Sequence, residues 1–147
     1  MPMRWDESMM GGQSGKVAVV TGSNTGIGYY MARALASKGA SVIMACRDPT
    51  KGEVARDRIL EEFPDSEVSV SVLDLADLSS IEEFADGFPS EGGLDILINN
   101  AGVMIPPKSR TKDGFELQFG TNHLGHFALT GRLLPVMERT DGSRVVT

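Results

Sequence analysis

An alternation of short β-branched runs with helix-spaced stretches constrains this chain more than any other feature in it. Residues 16–21 form a nearly continuous β-branched run, the pattern of a strand buried on both faces of a parallel sheet, and 41–45, 68–73 and 95–98 read as three more strands. Between them 27–38, 49–63 and 78–88 read as helices. In the first of these Ile27, Met31, Ala34, Leu35 and Lys38 keep helical spacing, and Gly39 supplies the stop. Helices of this length permit right-handed crossovers, so the fold class is α/β: a doubly wound parallel sheet with helices on both faces. A loop carrying Pro106, Pro107 and Lys108 then leads into a long helix over about 115–137, and Arg144-Val145-Val146-Thr147 opens a fifth strand.

The 147 residues leave room for one domain. A polar lead-in occupies 1–15, and the α/β domain occupies 16–147. That domain is expected to be incomplete at its C-terminus and truncated at the fifth strand, which is cut after four residues with no helix following. In the lead-in, Trp5, Met9 and Met10 are expected to pack on the domain edge. No apolar run there is long enough for a signal peptide or a membrane anchor.

A net charge of −6 and a pI near 4.9 argue against nucleic acid and anionic membranes as partners, because like charges repel at both surfaces. The lone Cys46 excludes an intramolecular disulfide and suits a reducing compartment, so the expected location is cytoplasmic. His123 and His126 lie three apart on a helical stretch but lack a third ligand at metal spacing, and no metal is expected. The eight methionines are scattered and read as core filling.

Chemistry enters at Thr21-Gly22-Ser23-Asn24-Thr25-Gly26-Ile27-Gly28, between the first strand and the first helix. Backbone N–H groups and the positive end of a helix dipole can face a pyrophosphate there. Glycine permits the tight turn, the approach of a ligand to the backbone and close packing of helix on strand. A glycine cluster alone would also serve any strand-to-helix turn. Its context adds Asp74-Leu75 after the third strand, Asn99-Asn100-Ala101-Gly102 after the fourth, and Asn122 within the long helical stretch.

In this order and spacing, Gly-x3-Gly-x-Gly after Thr21 together with those three segments resembles the short-chain dehydrogenase/reductase family. The likeness runs from about Lys16 to the end. Asp113-Gly114-Phe115-Glu116 and Thr121-Asn122-His123-Leu124-Gly125-His126-Phe127 are most similar to its retinol dehydrogenase-like members. The resemblance implies a Rossmann-type NAD(P)-binding domain in which Thr21, Gly22, Ser23, Asn24, Thr25, Gly26, Ile27 and Gly28 cradle the phosphates. It further implies that Asp74 and Leu75 meet the adenine edge, and that Asn99, Ala101 and Gly102 close the fourth strand beside the cofactor. Asn122 matches the family's asparagine that distorts its helix and holds a water in a proton relay. Each has a plainer reading. Asp74 could cap a helix, although Asp77 and Ser79 fit that cap better; Asn99 could satisfy a turn; a mid-helix Asn122 could be merely solvated.

Cofactor choice falls at the end of the second strand, where an acid would bind a ribose 2′-hydroxyl and a base a 2′-phosphate. Cys46 stands where NAD-preferring relatives place aspartate, and Arg47 follows. The reading is NADP(H) rather than NAD(H), unless Asp48 pairs with Arg47 or Arg47 forms only a surface ion pair. The family's chemistry uses a Ser, a Tyr and a Lys four residues after that Tyr. Here Tyr29 and Tyr30 are followed at that spacing by Arg33 and Ala34, and Ser143 lies at the wrong end of the fifth strand.

The expectation is therefore an NADP(H)-dependent oxidoreductase acting on a carbonyl/alcohol pair, with a small-molecule aldehyde, ketone or alcohol as substrate. This chain would supply the cofactor-binding half, lack the catalytic Ser/Tyr/Lys and be inactive alone, and the longer form could be a homo-oligomer. The alternative is a non-catalytic NADP(H)-binding or sensing module.

Overall fold

The computed structural model describes residues 6–147; Trp5 lies outside them. Met9 is half-exposed on a short 3₁₀ turn, whereas Met10 packs against the core.

Five parallel strands form one sheet in the order β3-β2-β1-β4-β5: β1 (Val17–Thr21), β2 (Ser41–Cys46), β3 (Val68–Val72), β4 (Ile96–Ile98) and β5 (Arg144–Val146). The chain builds outward from β1 to β3 and then crosses back to place β4 on the other flank of β1. Strand order thus reverses between β1 and β4, and the crevice at their C-terminal ends is the switch point of such a sheet.

Period-two alternation splits the core into two layers. Ala18 and Val20 of β1 point to the face covered by α1 (Gly26–Ser37) and α2 (Pro49–Glu62), where they meet Ala32, Leu35 and Ile59. Val19 points to the opposite face, against Ile81 of α3 (Leu78–Asp86) and Leu129 and Leu133 of α5 (His126–Glu138). All three β1 residues are completely buried, which explains why this strand reads as a continuous apolar run. Strand β5 is exposed along its length.

The helical stretch expected over about 115–137 is not one regular helix. Phe115 stands outside it, because the Glu116 carboxylate accepts the amides of Gln118 (2.9 Å) and Phe119 (2.7 Å) and starts α4 (Leu117–Phe119) at that point. A π turn, Gly120–Gly125, then widens the helix before α5 begins. Its cause is local: the Asn122 side chain leaves the helix to bond both backbone groups of Val103, accepting from its N–H and donating to its carbonyl, each at 2.8 Å. The cap of α3 is Asp77, whose carboxylate accepts from the Ser79 amide at 2.9 Å. Asp74 instead turns back onto the Ala76 amide at 2.9 Å.

Candidate functional site

The β1–α1 turn is held tightly. Gly22 adopts φ +63°, and a Cβ there would stand 2.8 Å from Cα of Ala101, so the turn docks directly on the segment after β4. The buried Ser23 hydroxyl donates to the Val20 carbonyl at 2.9 Å. Thr25 precedes α1 without capping it through its side chain, so the first amides of this twelve-residue helix keep their donors available at its positive end. Gly26 has φ +58°, and the space a Cβ would take is open.

Above this turn lies a groove of about 400 Å³ at the switch point. Thr21, Gly22, Asn24 and Thr25 form one wall; Ala45 and Arg47 follow from the end of β2, and Leu73, Asp74 and Leu75 from beyond β3. The far side is made by Asn100, Ala101, Gly102 and Val103, with Thr121 of the π turn. The hydroxyl of Thr121 is buried without a hydrogen-bond partner among the described residues.

The floor is a polar cluster centred on Thr21. Its Oγ1 accepts the amides of Asn100 and Ala101, both at 2.9 Å, and lies 2.9 Å from Nε2 of His126. The Asn100 side chain donates back to the Thr21 carbonyl at 2.9 Å. His126 Nδ1 donates to the Asn122 carbonyl at 3.0 Å, so the cluster runs from the β1 turn to the π turn. Burial of the His126 ring pushes its pKa below the ordinary value, against a weaker opposing pull from that carbonyl.

At the end of β2, Cys46 is fully buried, 3.7 Å from the Ser23 hydroxyl, and burial raises its thiol pKa. The exposed side chain that reaches the groove is therefore Arg47. Asp48 does not pair with it: its carboxylate accepts the Lys51 amide at 3.2 Å, capping α2, and lies 3.8 Å from the Lys51 ammonium. Among the described residues Arg47 makes no ion pair.

Nine residues singled out from sequence line the groove together: Thr21, Gly22, Asn24, Thr25, Arg47, Asp74, Leu75, Ala101 and Gly102. The others do not line it. Ser23 braces the turn, Gly28 leaves the close passage that Asn100 and the Gly22 carbonyl need, and the Ile27 side chain is exposed. Asn99 donates to Thr130 Oγ1 at 3.1 Å, and Asn122 holds Val103. Asn100, Thr121 and His126 were not singled out. All three lie within the motif segments, and His126 was weighed only as a metal ligand beside His123; nothing local marks its bond to Thr21. Its partner Thr21 is 105 residues away, while His123 stacks on Phe119. Among the described residues no three His, Cys, Asp or Glu side chains gather as a metal would require, and no helix is long and apolar enough to cross a membrane.

The sequence profile of the family described as short chain dehydrogenase matches residues 16–147. This chain belongs to the short-chain dehydrogenase family. Human retinol dehydrogenase 12 is 55% identical over 133 residues, which cover 90% of this chain and 42% of that relative. Among solved structures, an uncharacterized protein from Mycobacterium paratuberculosis superposes with a TM-score of 0.81 at 50% identity, covering 90% of this chain and 46% of that one. A metagenomic short-chain oxidoreductase in complex with NADP superposes with a TM-score of 0.78 at 30% identity, over 90% and 61% of the two chains. The chain thus spans less than half the length of the curated short-chain dehydrogenase relative it matches, and shares with solved members the five-stranded parallel sheet and flanking helices.

Proposed function

We propose that this chain is the cofactor-binding half of an NADP(H)-dependent short-chain dehydrogenase/reductase that interconverts a lipophilic alcohol with its aldehyde or ketone. Arg47 carries the cofactor preference: it lines the groove without a carboxylate partner, while Asp48 is turned away to cap α2. A planar guanidinium in that position suits a 2′-phosphate, and among the described residues no carboxylate pairs with it.

The groove's own features fit such a ligand. The open amides of α1 and the Gly22 and Gly26 backbone suit a pyrophosphate, and Asp74 and Leu75 an adenine edge. When bound, the cofactor supplies the hydride. This chain's part is to bind and orient it, with Asn122 holding the segment after β4 from the π turn. Neither tyrosine serves as the proton donor, since Tyr29 is buried beneath Arg58 and Tyr30 is exposed on α1. In this reading the remainder of the longer protein supplies Ser, Tyr and Lys. The name of the human relative supports a lipophilic alcohol.

Calorimetric titration with NADPH and NADH tests the reading. NADPH should bind the more tightly; equal affinities, or a preference for NADH, would refute the cofactor assignment. Reading the coding sequence beyond Thr147 separates the enzyme from a cofactor-sensing module, which a missing Ser and Tyr-x-x-x-Lys would favour.

A further inference from the structure

His126 has no place in the chemistry proposed above, yet it is 5% exposed and sits against the floor of the groove. Its protonation state follows from counting donors and acceptors. A threonine hydroxyl has one proton and two lone pairs. The Asn100 and Ala101 amides, both at 2.9 Å, occupy the two lone pairs of Thr21 Oγ1. One proton is left, with two acceptors in range: His126 Nε2 at 2.9 Å and the Ile98 carbonyl at 3.3 Å. The nearer is the histidine. On the other side of the ring, Nδ1 faces the Asn122 carbonyl at 3.0 Å, which can only accept, so Nδ1 carries the hydrogen. The cluster is satisfied by one species alone, the uncharged ring with its proton on Nδ1. A second proton would place an N–H on Nε2 against an oxygen whose lone pairs are already taken.

We propose that His126 is a positioning residue: as the uncharged Nδ1–H ring it fixes the Thr21 hydroxyl, through it docks the segment after β4 on the β1 turn, and so couples NADPH affinity to its own protonation. The proposal rests on the groove being the NADPH site. Among the described residues the ring's hydrogen-bond network contains no charged group. β1 presents Thr21, β4 presents the Ile98 carbonyl, the segment after it presents the Asn100 and Ala101 amides, and the π turn presents the Asn122 carbonyl; none of these groups titrates. Asp74 of the groove wall and His123 of the π turn are not among the groups that shift the His126 proton, which burial alone disfavours.

The sign follows. The ring's pKa lies below its usual 6.5, so it is neutral at neutral pH and charges only as the solution is acidified past that lowered value. Because binding and protonation are reciprocally linked, NADPH affinity should fall on acidification. The cofactor's 2′-phosphate also titrates, with a pKa of about 6, so the readout is the comparison with a variant whose side chain cannot. In His126→Gln the amide oxygen can still accept from Thr21 without titrating; His126→Leu removes the acceptor.

The experiment uses the 147-residue chain. Long-range proton–nitrogen NMR identifies the ring species, amide exchange follows Asn100 and Ala101, and fluorescence titration measures NADPH affinity from neutral pH down to the pH at which the ring is seen to charge. The ring should be the Nδ1–H species at neutral pH. The acid-induced loss of affinity should be at least about fivefold larger in the parent than in His126→Gln. The two amides should exchange faster in His126→Leu than in His126→Gln. An Nε2–H or charged ring at neutral pH, or the same acid response in the parent and His126→Gln, would overturn the proposal. If His126→Leu does not fold, the parent and His126→Gln decide it. Should no form bind NADPH while the ring species and amide protection are as expected, the cofactor reading falls and the positioning role stands.

Discussion

Arg47 and Asp48 are neighbours in sequence with opposite fates, and the difference lies in what each can reach. Asp48 finds the open amides of α2 and takes the capping position, while Arg47 extends to the groove with its donors unused by any carboxylate among the described residues. Reversing the charge should therefore act on cofactor choice rather than on folding. Arg47→Asp is expected to lower the ratio of NADPH to NADH affinity by about tenfold to about a hundredfold, the scale of a lost charge-assisted hydrogen bond. Parallel titrations with the two cofactors measure the ratio directly, and an unchanged ratio would mean that another residue reads the 2′ position.

The π turn shows what an element can owe to one side chain. Asn122 bonds both the N–H and the carbonyl of Val103, so the segment after β4 and the widened helix are one hydrogen-bonded unit. Asn122→Leu would strand both backbone groups, and each buried group left unpaired costs about 1–3 kcal/mol. A fall of that order in unfolding free energy, read from denaturant titration, is expected, and its absence would show that water replaces the side chain. A second link joins the loop before α4 to α3. Lys112 lies 2.7 Å from the Asp77 carboxylate, and with the Ser79 hydroxyl it holds the Asp77 pKa down to about 2 from 3.8. The native pKa is the lower one, so this contribution to stability is fully present above about pH 4 and is lost as the pH falls through about 2. Lys112→Met should flatten acid unfolding in that window; an identical acid limb would show the pair to be idle.

Across the whole molecule, what the sequence made legible was whatever has a local period or a local steric need. β1 is readable because all of Ala18, Val19 and Val20 are buried, and the glycine turn because it has to bend between a strand and a helix. The five strands fall where apolar runs predict them, with ends displaced by a residue or so. That Asn122 distorts the stretch over 115–137 was legible only through the family resemblance; that it does so as a π turn by bonding Val103, 19 residues earlier, needed the fold. The bracing role of His126, whose partner lies 105 residues away in sequence, was not legible. Motif residues could be grouped from sequence, whereas the groove's floor and its unpartnered Thr121 hydroxyl needed the fold.

The only cysteine in the chain, Cys46, lies at the end of β2, between β1 and β3, fully buried with its thiol pKa raised. A reagent that needs a thiolate in contact with solvent cannot reach it while the sheet is closed. Its side chain lies in the layer beneath α2, close to Gly52, so the molecule carries its own clock: each modified thiol records one excursion in which the cover over the end of β2 opened. Labelling should be slow in the native chain and complete within the mixing time in denaturant. A ligand seated where β1 and β4 diverge should slow the clock further in proportion to its occupancy, and prompt native labelling would reveal an interior that opens far more readily than its packing implies.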